Sequence, residues 1–489
     1  MLATQSPFAQ YFDLAGAPLS GGYLYFGEVG QNPETSPITV YWDAAGTQPA
    51  AQPVRTKSGY AVRGGKAARL YVNQDHSLTI KDSRKQLIDT TPLVLYRVAS
   101  DGIGHTPTAP GAVATSVQDK LSERVSVKDF GAVGDGVADD TAAIQLALDY
   151  AAQSVINIIP TKVDVVTCSV YLPAGTYKTT AALQVGEGTT FEGASQSTSI
   201  IKPQHTGVAV LMGNASREYA QIRLRNLGII GNRSGTLAKG SWTSTTTVGI
   251  FAENCIRECS IQDCFITQCQ TSIQAEKSYA FEINQNYLIY ALDYHILWDN
   301  AVAGRISGNR IDWSEQHGVY LNGDNVSDET LALEISSNAI QICWKNALWL
   351  YDVSSATVSN NFFEGNYREA TSDITHVYAD INIQTGPNNR GYSFNLIGNF
   401  FTSGSSPAFD AYTAIRCDRA QALVCIGNTC RNSRYWRIID AISVNIDRIV
   451  ALGNTFLGTF TAIAYDSDVT LGVIEEQVGD GAITVPRLT

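Results

Sequence analysis

Between Ile283 and Phe456 the apolar positions of the chain recur in one short frame: an apolar or small residue, two residues, Asn, one residue, then an apolar residue. The copies read INQNYL at Ile283, ISGNRI at Ile306, ISSNAI at Ile335, VSNNFF at Val358, LIGNFF at Leu396, CIGNTC at Cys425 and ALGNTF at Ala451. Their asparagines, Asn286, Asn309, Asn338, Asn361, Asn399, Asn428 and Asn454, run from 286 to 454 in six steps, a mean period of 28 residues.

That period, with strand-like alternation around each copy and almost no helical periodicity, predicts a solenoid whose repeats are coils of parallel strands. Leucine-rich repeats share the period but need a leucine density this chain lacks. Each Asn is expected at the same turn in a left-handed conformation, its side chain bonding the neighbouring coil, which makes an Asn ladder. Residues 125–470 are therefore read as a parallel β-helix.

The remaining chain divides around that body. Residues 1–98 alternate like short strands in GGYLYFGEV, ITVYW, AARLYV and SLTIKD, separated by Gly, Pro, Asn and Asp clusters, and predict a small β domain. Residues 99–124 are rich in Gly, Pro, Ala and Thr and read as a linker with a short helical end, with His105 in a solvated loop. Val125–Gln153 then gives a strand, a glycine-punctuated loop and a helix near 141–152, and residues 471–489 form a short C-terminal segment. Asp129, Asp135, Asp139 and Asp140 crowd that loop; turn and cap chemistry accounts for all four more cheaply than catalysis does. GAVGDG is no phosphate loop, since no Lys-Ser/Thr follows it.

Composition narrows the partners. The formal net charge of −12 over 489 residues argues against nucleic acid or an anionic membrane surface. No basic segment precedes an apolar run at the N-terminus, and no stretch reaches eighteen apolar residues, so neither a signal peptide nor membrane insertion is expected. Four of the nine cysteines cluster as Cys255, Cys259, Cys264 and Cys269, without the two-residue knuckles of structural zinc. They are expected as small side chains stacked inside coils, free thiols of a protein assembled in a reducing cytoplasm. No metal, calcium or other cofactor is expected.

Two segments resemble known families. GGYLYFG, PITVYWD, QPVRTKSGY and YVNQDHSLTIKDSRKQLI are similar to the N-terminal head-binding domain of tailspikes from short-tailed phages. VSVKDFGAVGDGVADDTAAIQLALDYAAQ, continued by VYLPAGTYKTT and TTFEGASQSTSIIKP, resembles the entry of the pectate-lyase-like β-helix as tailspikes carry it. The resemblance implies a right-handed β-helix whose first coil is capped by the helix, and a homotrimer in the virion tail. It further implies attachment to phage tail or head-adaptor proteins through residues 1–98, with host surface polysaccharide (capsule, O-antigen or exopolysaccharide) as the partner. The chain departs from the family after Leu471, where no sizeable C-terminal domain follows.

Register supplies the candidate chemistry. The third residue after each motif Asn is Ile289, Asp312, Gln341, Glu364, Thr402, Arg431 and Leu457, so Asp312 and Glu364 share a column with Gln341 between them. Two coils separate the carboxylates by about 9.6 Å, at the upper edge for an inverting glycosidase. Glu315 offers a third acid, and Asp312, Glu315 and Glu364 form the expected catalytic set. Trp344, Tyr367, Tyr320 and Trp349, with Gln341 and His317, are the expected sugar-binding side chains. Trp313 is expected to point inward. An endo-acting glycoside hydrolase is the first expectation and a non-catalytic receptor-binding or branching spike the second. A polysaccharide lyase, with His317 and Tyr320 taking the C5 proton, is the third. Specificity is assigned to the loops Gly323–Thr330 and Arg368–Arg390.

Overall fold

A computed structural model describes residues 9–94, 104–105, 111–113, 115–122, 124–153, 168–300, 302–323, 333–366, 378–384, 393–402, 412–418, 420–431, 435–441, 446–457, 464–465, 471–475 and 478–479. The chain divides into two compact units, Met1–Ser122 and Glu123–Thr489.

In the first unit Tyr23–Gly27 runs inside a six-stranded antiparallel sheet, between Val54–Lys57 and His76–Lys81. Its alternation decides the two faces. Leu24 and Phe26 are buried with Val40, Val54 and Ala61, while Tyr23 faces outward beneath the Arg55 guanidinium, 3.8 Å from the ring centroid. Of residues 99–124 the structure describes 104–105, 111–113, 115–122 and 124. Gly104–His105 pairs antiparallel with Thr115–Ser116, which places His105 on a short strand rather than in the expected loop, and Val117–Ser122 is a short helix.

The second unit is a parallel β-helix, with the right hand that twisted parallel strands impose on their crossovers. Most coils have three strands, and in two coils the second and third run on as one, Phe265–Glu276 and Tyr287–Asp299. In one coil the three are Arg305–Ser307, Arg310–Ser314 and His317–Asn322; in the next, Leu333–Ser336, Ala339–Cys343 and Leu348–Tyr351. First strands stack into a 13-stranded sheet, and second and third strands together make a 22-stranded one. One continuous core runs up the middle, with Ile283, Ile306, Ile335, Val358 and Leu396 in file.

The lower end is closed by the helix Thr141–Gln153. Its Ile144, Ala147, Leu148 and Ala151 are buried with Val170, Leu172 and Leu183, covering a strand edge that would otherwise invite pairing. The acidic loop is turn and cap chemistry. Asp129 accepts from Ser126 N–H, Asp135 from Val137 and Ala138, Asp139 from Thr141, and Asp140 from Val133 and Gly134.

The asparagines form the ladder. Asn338 Nδ2 donates to Ile306 O at 2.9 Å and to Asn361 Oδ1 at 2.9 Å, while its Oδ1 accepts from Asn309 N and Nδ2 at 3.0 and 2.9 Å. The same pattern repeats from Asn286 to Asn454. One detail departs from expectation. The left-handed residue is the one before each Asn, namely Gln285, Gly308, Ser337, Asn360, Gly398, Gly427 and Gly453, with φ from 55° to 65°. The preceding residue makes the turn, so the Asn keeps its side chain pointing inward along the stack.

All nine cysteines are free thiols, and eight are buried. Cys264 occupies the rung below Asn286 and donates its backbone N–H to Asn286 Oδ1 at 2.9 Å. Burial pushes the thiols of Cys264, Cys269, Cys343 and Cys425 up to about 12, which makes them unreactive core groups.

Candidate functional site

The acid column is continuous in the stacked second strands. Ile289 pairs with Asp312, Asp312 with Gln341, Gln341 with Glu364, and Glu364 with Thr402. These side chains point outward because their neighbours Ile311, Ile340 and Phe363 fill the core. Gln341 Nε2 donates to Glu364 Oε2 at 2.6 Å. Arg310 Nη2 lies 3.6 Å from Asp312 Oδ2, and the Asp312 side chain is only 13% exposed.

Beneath Asp312 the core holds a polar prop. His295 is fully buried, and its Nε2 donates to the Asp312 carbonyl oxygen at 2.9 Å while Nδ1 accepts from the Ser272 hydroxyl at 3.1 Å. A carbonyl only accepts, which fixes the tautomer. Desolvation lowers this imidazole to about 4, so it is neutral at ordinary pH.

Between the second and third strands the chain bends at a second left-handed file: Gln268, Tyr290, Trp313, Ile342 and Gly365, with φ from 55° to 62°. Bulky and β-branched side chains rarely hold that conformation. The bend corrects the expectation for Trp313. A residue in this conformation breaks strict alternation, so Ser314 turns inward and Trp313 stays half-buried, its ring 5.2 Å from that of Tyr290.

Past the bend, Glu315 and Trp344 serve a hairpin. Residues 233–244 form two short antiparallel strands whose connection reaches across the coils. Gly240 N–H donates to both Glu315 carboxylate oxygens at 3.0 Å, and Lys239 Nζ sits 3.9 Å from the Trp344 ring centroid. Arg233 Nε to Gln268 Oε1 at 3.0 Å and Gln270 Nε2 to Ser244 O at 2.8 Å fasten its base. Glu315 thus stands apart from the Asp312 column, and an ammonium already covers the Trp344 face.

His317, Tyr320 and Trp349 lie on the third strands with Tyr294 and Tyr351. The Tyr320 and Trp349 centroids are 4.5 Å apart, those of His317 and Trp349 4.8 Å, and Tyr294 stacks on His317 at 5.7 Å. His317 is buried and its Nδ1 accepts from Asn346 N–H at 3.2 Å. Burial, then the nearby Lys345 ammonium, lowers it to about 3. An imidazole so reluctant to hold a second proton is a poor lyase base. Tyr367 and most of both specificity loops fall outside the described residues.

Two features escaped the sequence reading. Asp293, half-buried at the bend, has its carboxyl raised by desolvation, with Lys345 opposing the shift; no repeat pattern marks it. The residue directly after each motif Asn is the other. That slot carries Tyr287, Arg310, Ala339, Phe362, Phe400, Thr429 and Thr455, and its aromatic content was legible as a column beside the acids.

Comparison with known proteins fits this architecture. Residues 124–365 match the family of rhamnogalacturonase A/epimerase, pectate lyase-like proteins, so the chain carries a pectate-lyase-like β-helix domain. It is 27% identical over 213 residues to mannuronan C5-epimerase AlgE4 of Azotobacter vinelandii, covering 41% of this chain and 34% of that protein. It is 29% identical over 176 residues to the tail spike protein of Shigella phage Sf6, covering 29% of this chain and 28% of that one. The aligned part thus spans about a third or less of these relatives. Among solved structures, DFA-IIIase from Arthrobacter chlorophenolicus A6 superposes with a TM-score of 0.49 at 12% identity, covering 74% of this chain and 87% of that one. PfbA, a surface adhesin of Streptococcus pneumoniae, does so at 0.48 and 17%, covering 69% and 91%.

Proposed function

We propose that this protein is a phage tailspike that binds and hydrolyses a host cell-surface polysaccharide, acting as a homotrimer held in the virion tail by residues 1–98. The carrying observation is the outward column in which Gln341, bonded to Glu364, separates Glu364 from Asp312. Two coil spacings, about 9.6 Å, leave room for a water between the carboxylates. In the proposed reaction one carboxylic acid of the pair protonates the glycosidic oxygen as its bond to the anomeric carbon breaks. The other takes a proton from the water that attacks that carbon.

Gln341 orients Glu364, and Glu315 acts through the hairpin it anchors rather than on the sugar. Tyr320, Trp349 and His317 form an adjoining aromatic wall, with His317 as packing within it. The likeness to a phage tail spike and the pectate-lyase-like match support the reading. Pure protein incubated with polysaccharide from a permissive host should yield short saturated oligosaccharides. An unchanged polymer size would make the protein an adhesin, and products absorbing in the ultraviolet would make it a lyase.

A further inference from the structure

We infer that Cys255 and Cys259 form an oxidation site, a dithiol that a peroxide closes into an intramolecular disulfide beneath one corner of the β-helix. The site is independent of the polysaccharide reading. The corner between the two cysteines is bent by consecutive left-handed residues, Arg257 and Glu258, with φ of 47° and 57°. Both of these are exposed, while the cysteines turn into the core. Tyr219 ties the ends of the corner together: its carbonyl oxygen accepts from Ile256 N–H at 2.7 Å, and Cys259 Sγ lies 3.7 Å from the same oxygen. Cys259 Sγ also folds back to within 3.4 Å of Ile256 O, and the two sulfurs are within hydrogen-bonding reach of each other. On the outside, Arg223 clasps the corner through Glu258 at 2.6 Å.

The surroundings make the two thiols unequal. Cys255 S–H donates to the Cys259 sulfur, Ile222 N–H donates to it at 3.5 Å and the Arg223 guanidinium is near, so the Cys259 thiol lies below its usual value although burial opposes the shift. The same bond, with burial, pushes Cys255 well up. At Cys264, Cys269, Cys343 and Cys425 burial leads and the thiol is raised. A favoured thiolate beside a second thiol is the arrangement of a nucleophilic sulfur and its resolving partner.

The chemistry balances with hydrogen peroxide as the oxidant. The Cys259 thiolate attacks one peroxide oxygen: an S–O bond forms, the O–O bond breaks, and the departing hydroxide takes the Cys255 proton to become water. The Cys255 thiolate then attacks the Cys259 sulfur: the S–S bond forms, the S–O bond breaks, and the released hydroxide takes up the proton that Cys259 first gave to solvent. Two thiols and one peroxide give one disulfide and two waters. Hydrogen peroxide is little larger than water, so a local opening of the corner admits it. The disulfide closes a ring over residues 255–259 and fixes the corner.

The test treats full-length protein, purified under reductant and then freed of it, with hydrogen peroxide. The protein is next unfolded in an alkylating agent, and its tryptic peptides are mapped without reduction. Trypsin cuts after Arg257, between the two cysteines, so the disulfide appears as a peptide pair that separates on reduction. That pair is expected, with Cys264, Cys269, Cys343 and Cys425 still reduced. Amide exchange over residues 255–260 should slow by about tenfold or more in the oxidised protein. Cys255→Ala should stop at a sulfenic acid on Cys259 that dimedone traps, and Cys259→Ala should leave Cys255 a thiol. Circular dichroism checks both folds, and the parent's peptide map decides the matter if either variant does not fold. A parent that keeps both thiols through the treatment, or that oxidises its other buried cysteines as fast, overturns the site. Unchanged exchange in the disulfide form would show that the bond does not fix the corner and would overturn that part of the inference.

Discussion

Gln341 stands one coil above Asp312 and one below Glu364, and its amide donates to Glu364 at 2.6 Å. The amide is thus the spacer that holds two like charges apart on one face. Replacing Asp312 by Asn or Glu364 by Gln should lower oligosaccharide release by about a hundredfold or more while polysaccharide binding persists. Chromatographic sizing of the products, beside a binding measurement on the same variants, checks this. Variants cutting at the parent rate would remove the pair from the mechanism.

His295 Nε2 donates to the Asp312 carbonyl whether or not the ring is charged, but burial favours the neutral ring, whose Nδ1 accepts from the Ser272 hydroxyl. The ring's folded value of about 4 lies below the ordinary 6.5, so the unfolded chain binds the proton first as pH falls. Stability from this group is complete above about pH 6.5 and declines toward pH 4, by roughly 3 kcal/mol in all. His317, lowered for the same reason, acts in the same direction. Asp135 and Asp139, whose bonded carboxyls lie below the usual range, lose their contribution only at lower pH. Melting of His295→Gln should therefore depend less on pH between 6.5 and 4 than melting of the parent.

Truncating one ladder asparagine breaks the buried chain of amides at two joints. Asn338→Ala leaves the Asn309 backbone N–H without its acceptor, takes one of two acceptors from Asn309 Nδ2, and removes the side-chain donor from Ile306 O and from Asn361 Oδ1, which keeps only the residue 338 backbone N–H. A cost of about 3 kcal/mol or more is expected in chemical denaturation. Loss of amide-exchange protection should centre on the coils around Asn338, because a solenoid couples nearest neighbours.

Ile342 holds φ at 55° with a β-branched side chain. Glycine there removes about 1–2 kcal/mol of backbone strain but adds chain entropy to the unfolded state. Ile342→Gly should leave stability unchanged or raise it by up to about 1 kcal/mol. The same change at buried Ile340 should cost more than about 3 kcal/mol. Thermal melts of the two variants check the contrast.

The Glu315 carboxylate is committed to Gly240 N–H. Glu315→Gln should keep most of the cleavage rate while limited proteolysis near Lys239 speeds up. A rate loss as large as that of Asp312→Asn would return Glu315 to the catalytic set.

Much of this architecture was legible in one dimension. The asparagine spacing and the flanking apolar residues specify the coils, because stacking identical turns is the cheapest way to bury both the amides and the aliphatic file. From that spacing alone, Asp312, Gln341 and Glu364 follow as a column, and the structure keeps that register. The capping helix and its acidic loop were equally readable, since orphan N–H groups demand acceptors wherever a helix begins.

Tertiary structure decided what local pattern cannot encode. The left-handed bend at Trp313 cancels simple alternation, so which side Trp313 and Ser314 face depends on backbone conformation rather than on sequence parity. A hairpin some 75 residues earlier in the chain claims Glu315, and a buried Ser272 and His295 hold Asp312 from inside. Repeats determine which side chains share a file; only the packing of distant segments determines which of them remain open to a ligand.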